Sequence, residues 1–173
     1  LMLCCALIVL GWAGYALVAW LGYGTAGVDR RPDRLLDRFM PVYEIAERHE
    51  TRVAAPVNVT YAAACAFDLQ HSGIVRAIFR GREILMRAPG GADALPTQLL
   101  AQTIRIGWRP LAEVPGRELV MGAVTQPWEA QVTFRGLPPD RFAAFDEPGY
   151  AQIVWTLSAE PIDDRSSVFR TVR

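Results

Sequence analysis

Lysine is missing altogether. All 18 basic residues are arginines, and 18 acidic residues balance them to a formal net charge of zero. Clustered positive charge supplies most of the non-specific affinity for nucleic acid, so a chain without a basic surplus is expected to have no nucleic-acid partner. Histidine and cysteine are also scarce, at two and three residues. Cys4 and Cys5 fall inside one apolar run, and Cys65 stands alone among alanines. No CxxC or Cys/His spacing points to a metal, and the soluble part holds too few cysteines for a disulfide framework. No GxGxxG, GxxxxGK[ST], HExxH or GxSxG occurs, which leaves nucleotide-binding, zinc-protease and serine-hydrolase chemistry without a starting point. Neither a cofactor nor a metal is expected. The all-arginine usage, with abundant alanine, suits a GC-rich bacterial genome.

What the chain has in excess is apolar residue, 51% of its 173 positions. Much of that excess lies in one place, because no charged residue occurs from Leu1 to Val28. A helix needs about 20 apolar residues to cross a hydrocarbon core, and Leu1–Tyr23 meets that length. A signal-peptide core of about 7–15 residues would be shorter. Residues 1–28 are therefore predicted to be a transmembrane anchor, with Trp20 and Tyr23 near an interfacial belt. The next segment, 29–41, reads as a linker bracketed by Pro32 and Pro41. Its Arg30, Arg31, Arg34 and Arg38 place the soluble domain on the cytoplasmic side of a single-pass protein by the positive-inside rule.

The remainder, 42–173, is long enough for one domain. Alternation over 42–53 predicts a strand with Tyr43, Ile45, Glu47, His49, Thr51 and Val53 on one face. Pro56 opens an Ala-rich helix, Ser72-Gly73 breaks it from a second helix over 74–86, and a third covers 97–106. In the second helix Ile74, Ile78 and Leu85, with Val75 and Phe79, form a stripe at helical spacing. From there the pattern is β. Pro115-Gly116 turns 108–114 back onto 117–124, 130–135 alternates, and 150–159 alternates Ala151, Ile153, Trp155 and Leu157 against Gln152, Val154, Thr156 and Ser158. A last strand follows at 167–173. The fold class is α+β, an antiparallel sheet with one apolar face.

Two sets of residues carry candidate chemistry. His49 shares a predicted strand face with Glu47, and a histidine beside a carboxylate can act as a base; a polar residue near a strand end, or a structural hydrogen bonder, is the favoured reading, because strand neighbours two apart point the same way by default. Trp108, Met121, Trp128, Phe134, Ile153 and Trp155 fall in or beside strands whose apolar face would line a cavity, although aromatic residues also fill ordinary cores. An apolar small molecule or lipid is the expected partner, together with the membrane through residues 1–23.

Three stretches, HETRVAAPVNVTYAAACAFDL (49–69), EVPGRELVMGAV followed by QPW (113–128), and FDEPGYAQIVWTLSAEP (145–161), give the domain a resemblance to the START-like (polyketide cyclase/dehydrase and lipid transport) superfamily. The resemblance covers roughly 42–173 and rests on topology. It implies a helix-grip fold, a curved antiparallel sheet around a long C-terminal helix with an apolar cavity between them. It also implies binding of lipids, sterols, polyketides or hormones, with catalysis in a minority of members. The chain departs from that pattern by ending at Arg173 within its last predicted strand, so the C-terminal helix is expected to be missing and the apolar sheet face open. A cyclase- or hydrolase-like enzyme using His49 and Glu47, and an interaction domain with a filled core, are the alternatives.

Overall fold

Strand propensity and the turn residues between strands produce a six-stranded antiparallel sheet. A computed structural model describes residues 10–18, 32–68, 71–86, 96–129 and 131–172. The strands are β1 (Arg48–Val53), β2 (Arg109–Val114), β3 (Glu118–Thr125), β4 (Phe134–Arg135), β5 (Ala151–Asp163) and β6 (Ser166–Val172). Their order is β1-β6-β5-β3-β2, with β4 paired to the far end of β3. The helices are α1 over 10–18, α2 (Val57–Ala66), α3 (Gly73–Met86), α4 (Leu99–Arg105) and α5 (Pro139–Ala143), and a 3-10 turn covers Leu36–Arg38. The α+β class is thus as expected.

The chain forms two compact units. One takes in α1, Pro32 and Val42–Ala46 among its described residues; the other takes in Asp33–Pro41 and the chain from Glu47 onward. Only 10–18 of the predicted anchor Leu1–Tyr23 is described, and it is helical with Leu10, Trp12, Tyr15, Leu17 and Val18 exposed. No helix among the described residues is long and apolar enough to cross a membrane.

Most strand boundaries match the sequence pattern, and the differences have local causes. The first strand begins at Arg48, not at 42, because β6 pairs only with Arg48–Val53. Of the alternating run 130–135, only Phe134–Arg135 pairs with β3, and Ala130 lies outside the described residues. The stretch between β4 and β5 holds the short helix α5, which begins after Pro138 with Pro139 in its first turn, where a missing N–H costs nothing.

Register assigns the two sheet faces. Leu119 opposes Leu157, Met121 opposes Trp155 and Ala123 opposes Ile153, so all six share one face with Ala159 and Phe169. Val57, Tyr61, Ala64 and Cys65 of α2, at i, i+4, i+7 and i+8, pack on that face beside Leu99 and Leu100 of α4. The small residues at 64 and 65 let the helix come close. Its N-terminus is fastened to β6 by a buried bond of 2.7 Å between the Thr60 and Ser167 hydroxyls, and Ser167 donates onward to the Ala55 carbonyl at 2.9 Å.

The opposite face is not left to solvent as a single-sided pattern predicts. Val120, Val124, Val154 and Thr156 are buried there. Phe142 of α5, itself fully buried, lies together with Leu111 against Gly122. β3 is therefore covered on both faces, and from Leu119 to Thr125 every residue is buried. At the other end of this face Arg170 of β6 donates to Glu50 of β1 at 3.0 Å and to Glu160 of β5, an exposed cross-strand network.

Candidate functional site

The helix-covered face carries its aromatic residues toward one end. Trp108 stands there because of how α4 stops. The amide of Gly107 donates to the Ile104 carbonyl at 3.0 Å and the amide of Trp108 donates to the Thr103 carbonyl at 3.0 Å. With Gly107 at φ +106°, this is the paired-bond helix ending that favours glycine just past the cap. The reversal delivers Trp108 straight into β2. A side chain at 107 would also run into the Phe134 carbonyl, so the same glycine lets β4 approach. Thr125 holds the neighbouring segment by donating its hydroxyl to the Thr133 carbonyl at 2.7 Å, and Thr125 itself pairs with Phe134.

These constraints bring three aromatic rings together. The Trp108 and Phe134 centroids are 5.3 Å apart and the Trp108 and Trp155 centroids 6.3 Å apart, both tilted. Such spacings lie within the favourable range for aromatic pairs. All three side chains are half-buried, as is Ile153 next to Trp155 on β5. Met121, opposite Trp155, is fully buried and belongs to the core with Tyr61, Leu119 and Leu157. Trp128 stands apart, 59% exposed in the turn after β3. The sequence-predicted residues therefore divide into a contiguous set of Trp108, Phe134, Ile153 and Trp155, a core residue, Met121, and an outlying Trp128.

A polar group that the sequence reading did not single out borders this core. Tyr61 hydrogen-bonds with Cys65 and Glu113. Burial, and then the nearby Cys65 and Glu113, push the Tyr61 phenol above its ordinary range. Burial raises the Cys65 thiol as well, against the Tyr61 hydrogen bond, which favours the thiolate. Tyr61 and Cys65 lie four apart on a helix, and that spacing was the available signal. The third partner comes from β2 and has no local signature.

His49 and Glu47 come near each other, with Nε2 to Oε2 at 4.0 Å and the histidine side chain 66% exposed. That separation exceeds hydrogen-bond reach, so Glu47 does not orient the imidazole as a carboxylate does in an acid–base pair. Asp68 makes a closer contact with the other histidine, His71, at 3.3 Å, and accepts from buried Gln102 at 2.6 Å. No three His, Cys, Asp or Glu side chains among the described residues come together as metal ligands would.

No family model, curated protein or solved structure matches the chain. The functional reading therefore rests on the residues themselves.

Proposed function

We propose that this chain is a membrane-anchored binding domain for an apolar small molecule or lipid, with Leu1–Tyr23 as the anchor and the domain on the cytoplasmic side. The observation that carries the reading is the half-buried set Trp108, Phe134, Ile153 and Trp155 on a sheet face that α2 and α4 otherwise cover. Large apolar rings left partly open at one end of a packed face form the usual wall of a ligand site. The START-like resemblance points the same way. It is supported by the chain order, in which a first strand precedes the helices and pairs with the last strand of an antiparallel sheet.

The anchor is supported by the charge-free run of 28 residues and by the exposed apolar side chains along α1. Apolar surface of that kind is stable in lipid and costly in water. A tether would hold the domain at high effective concentration beside a lipid pool.

The test is extraction of the purified full-length protein followed by mass spectrometry of the extract. A lipid or other apolar molecule near stoichiometric amount is the expected result, and one present only in proportion to detergent-bound bulk lipid argues against the reading. Burial of Met121 against Trp155 favours a second reading, an interaction domain whose core is already filled. An empty extract from a well-folded protein would select it.

A further inference from the structure

α3 has the composition of a surface helix and the exposure of an unfinished one. Ile74, Ile78, Ile84 and Leu85 are between 64 and 83% exposed. Among the described residues no other helix or strand packs extensively against it. At 100° per residue, positions 74, 78 and 85 fall in one stripe, 84 extends it on one side and 75 on the other. Positions 76, 80 and 83 gather opposite. The helix carries three arginines, at 76, 80 and 82, against a single acidic residue, Glu83.

A soluble domain rarely leaves four large aliphatic side chains of one helix in water. The occupant must match both an apolar stripe and a cationic edge along a single 14-residue helix. An anionic bilayer surface offers that pair of properties: acyl chains accept the stripe, and phosphate headgroups accept the guanidinium groups. A second copy of the same helix would meet the apolar requirement but would bring no anionic surface to the arginines at 76 and 80, on the far side of the stripe. We infer that α3 is an interfacial helix that lies in the headgroup region of an anionic membrane, adding a second contact to the N-terminal anchor. The inference borrows from the proposed function only the presence of a nearby bilayer.

The experiment places one environment-sensitive nitrobenzoxadiazole label on the full chain, at a cysteine substituted for Ile78, with Cys4→Ser, Cys5→Ser and Cys65→Ala removing the native thiols. A second protein carries the label at a cysteine substituted for Arg165, in the exposed turn between β5 and β6. Both are reconstituted into phosphatidylcholine vesicles with or without a one-third share of phosphatidylglycerol. The label at 78 should brighten several-fold, shift to the blue and be quenched by doxyl-labelled lipid, most strongly in the anionic vesicles. The label at 165 should stay water-like in both. Arg76→Glu with Arg80→Glu should abolish the difference between the two lipid compositions while the protein still floats with the vesicles.

A water-like label at 78 in a protein that floats overturns the interfacial helix and leaves the anchor standing. Failure to float with anionic vesicles overturns both. A blue shift that grows with protein concentration and resists doxyl quenching assigns the stripe to a second copy, and also overturns the inference.

Discussion

Gly122→Ala is a sharp test of the two-sided packing of β3. A β-carbon at 122 would sit 2.5 Å from Leu111 Cδ1, 2.9 Å from Phe142 Cε2 and 3.0 Å from Phe142 Cζ. Ordinary contacts need about 3.5–4.0 Å, so the neighbours must withdraw by roughly 1 Å. Leu111 can turn its methyl aside, but Phe142 has no exposed surface and is held by α5. Overpacking of this kind costs about 1–3 kcal/mol. Removing glycine from the unfolded ensemble returns about 0.4–1 kcal/mol, which leaves a net destabilisation between about 0 and 2.6 kcal/mol, with about 1–2 kcal/mol in the middle of that span. For a chain of this length that lowers the melting temperature by roughly 2–8 °C. The assay is thermal and urea unfolding of the full chain in mild detergent, followed by far-UV circular dichroism. The double variant with Phe142→Leu should recover part of the loss, a coupling that independent sites do not show. If Gly122→Ala melts at or above the parent temperature, with no coupling to Phe142→Leu, the packing of α5 on β3 is wrong.

Three further outcomes follow from the same contacts. Ser167→Ala removes the donor to Ala55 and the partner of Thr60 in a fully buried setting, and should lower the unfolding free energy by about 1–3 kcal/mol in a urea titration, against little change for exposed Thr97→Ala. Burial first, then Asp33 and Glu160, hold the Glu118 carboxyl above its ordinary range against the pull of Arg117. The native state then keeps the proton longer than the unfolded chain, so this contribution is present below the unfolded pKa and lost as pH rises through the folded one. Glu118→Gln should match the parent in urea midpoint near about pH 4 and exceed it near about pH 7, and an equal midpoint shift at both would contradict the assignment. Cys65 should react more slowly with Ellman's reagent than a free thiol, its pKa being raised mainly by burial, and Tyr61→Phe should push that pKa higher still by removing the bond that favours the thiolate. A faster reaction in Tyr61→Phe at fixed pH, with the fold intact, would reverse the assigned role of the hydroxyl.

The parts of this fold that were legible in the sequence are those set by short-range chemistry. Pro115-Gly116 fixed the β2–β3 turn, and the alternation from Ala151 to Leu157 placed Ile153 and Trp155 on one face, as the register bears out. The 74–86 stripe also formed a helix, but its periodicity could not tell whether anything covers it, and Ile74 and Ile78 are exposed. Long-range pairing was hidden. Nothing local in 42–47 distinguishes it from Arg48–Val53; the difference is the partner strand 120 residues on, where Arg170 meets Glu50. α5 was missed because its five residues are too few for a periodic signal, and the second covered face of β3 went with it. At the site, Trp108, Phe134 and Trp155 were found by residue type and strand face, whereas their convergence depends on the α4 ending at Gly107, which only three dimensions display.

The most direct test of the proposed binding face is a comparison of aromatic substitutions in one titration. A fluorescent fatty acid that accepts energy from tryptophan is titrated into the delipidated full chain in detergent below the level that competes for the probe. Trp155→Ala and Phe134→Ala should each weaken binding at least tenfold, which corresponds to about 1.4 kcal/mol of lost contact. Trp128→Ala, 59% exposed and outside the ring cluster, should leave the affinity unchanged. Equal affinity across the parent, Trp155→Ala and Trp128→Ala would show that the probe binds elsewhere and that the aromatic face is a filled core.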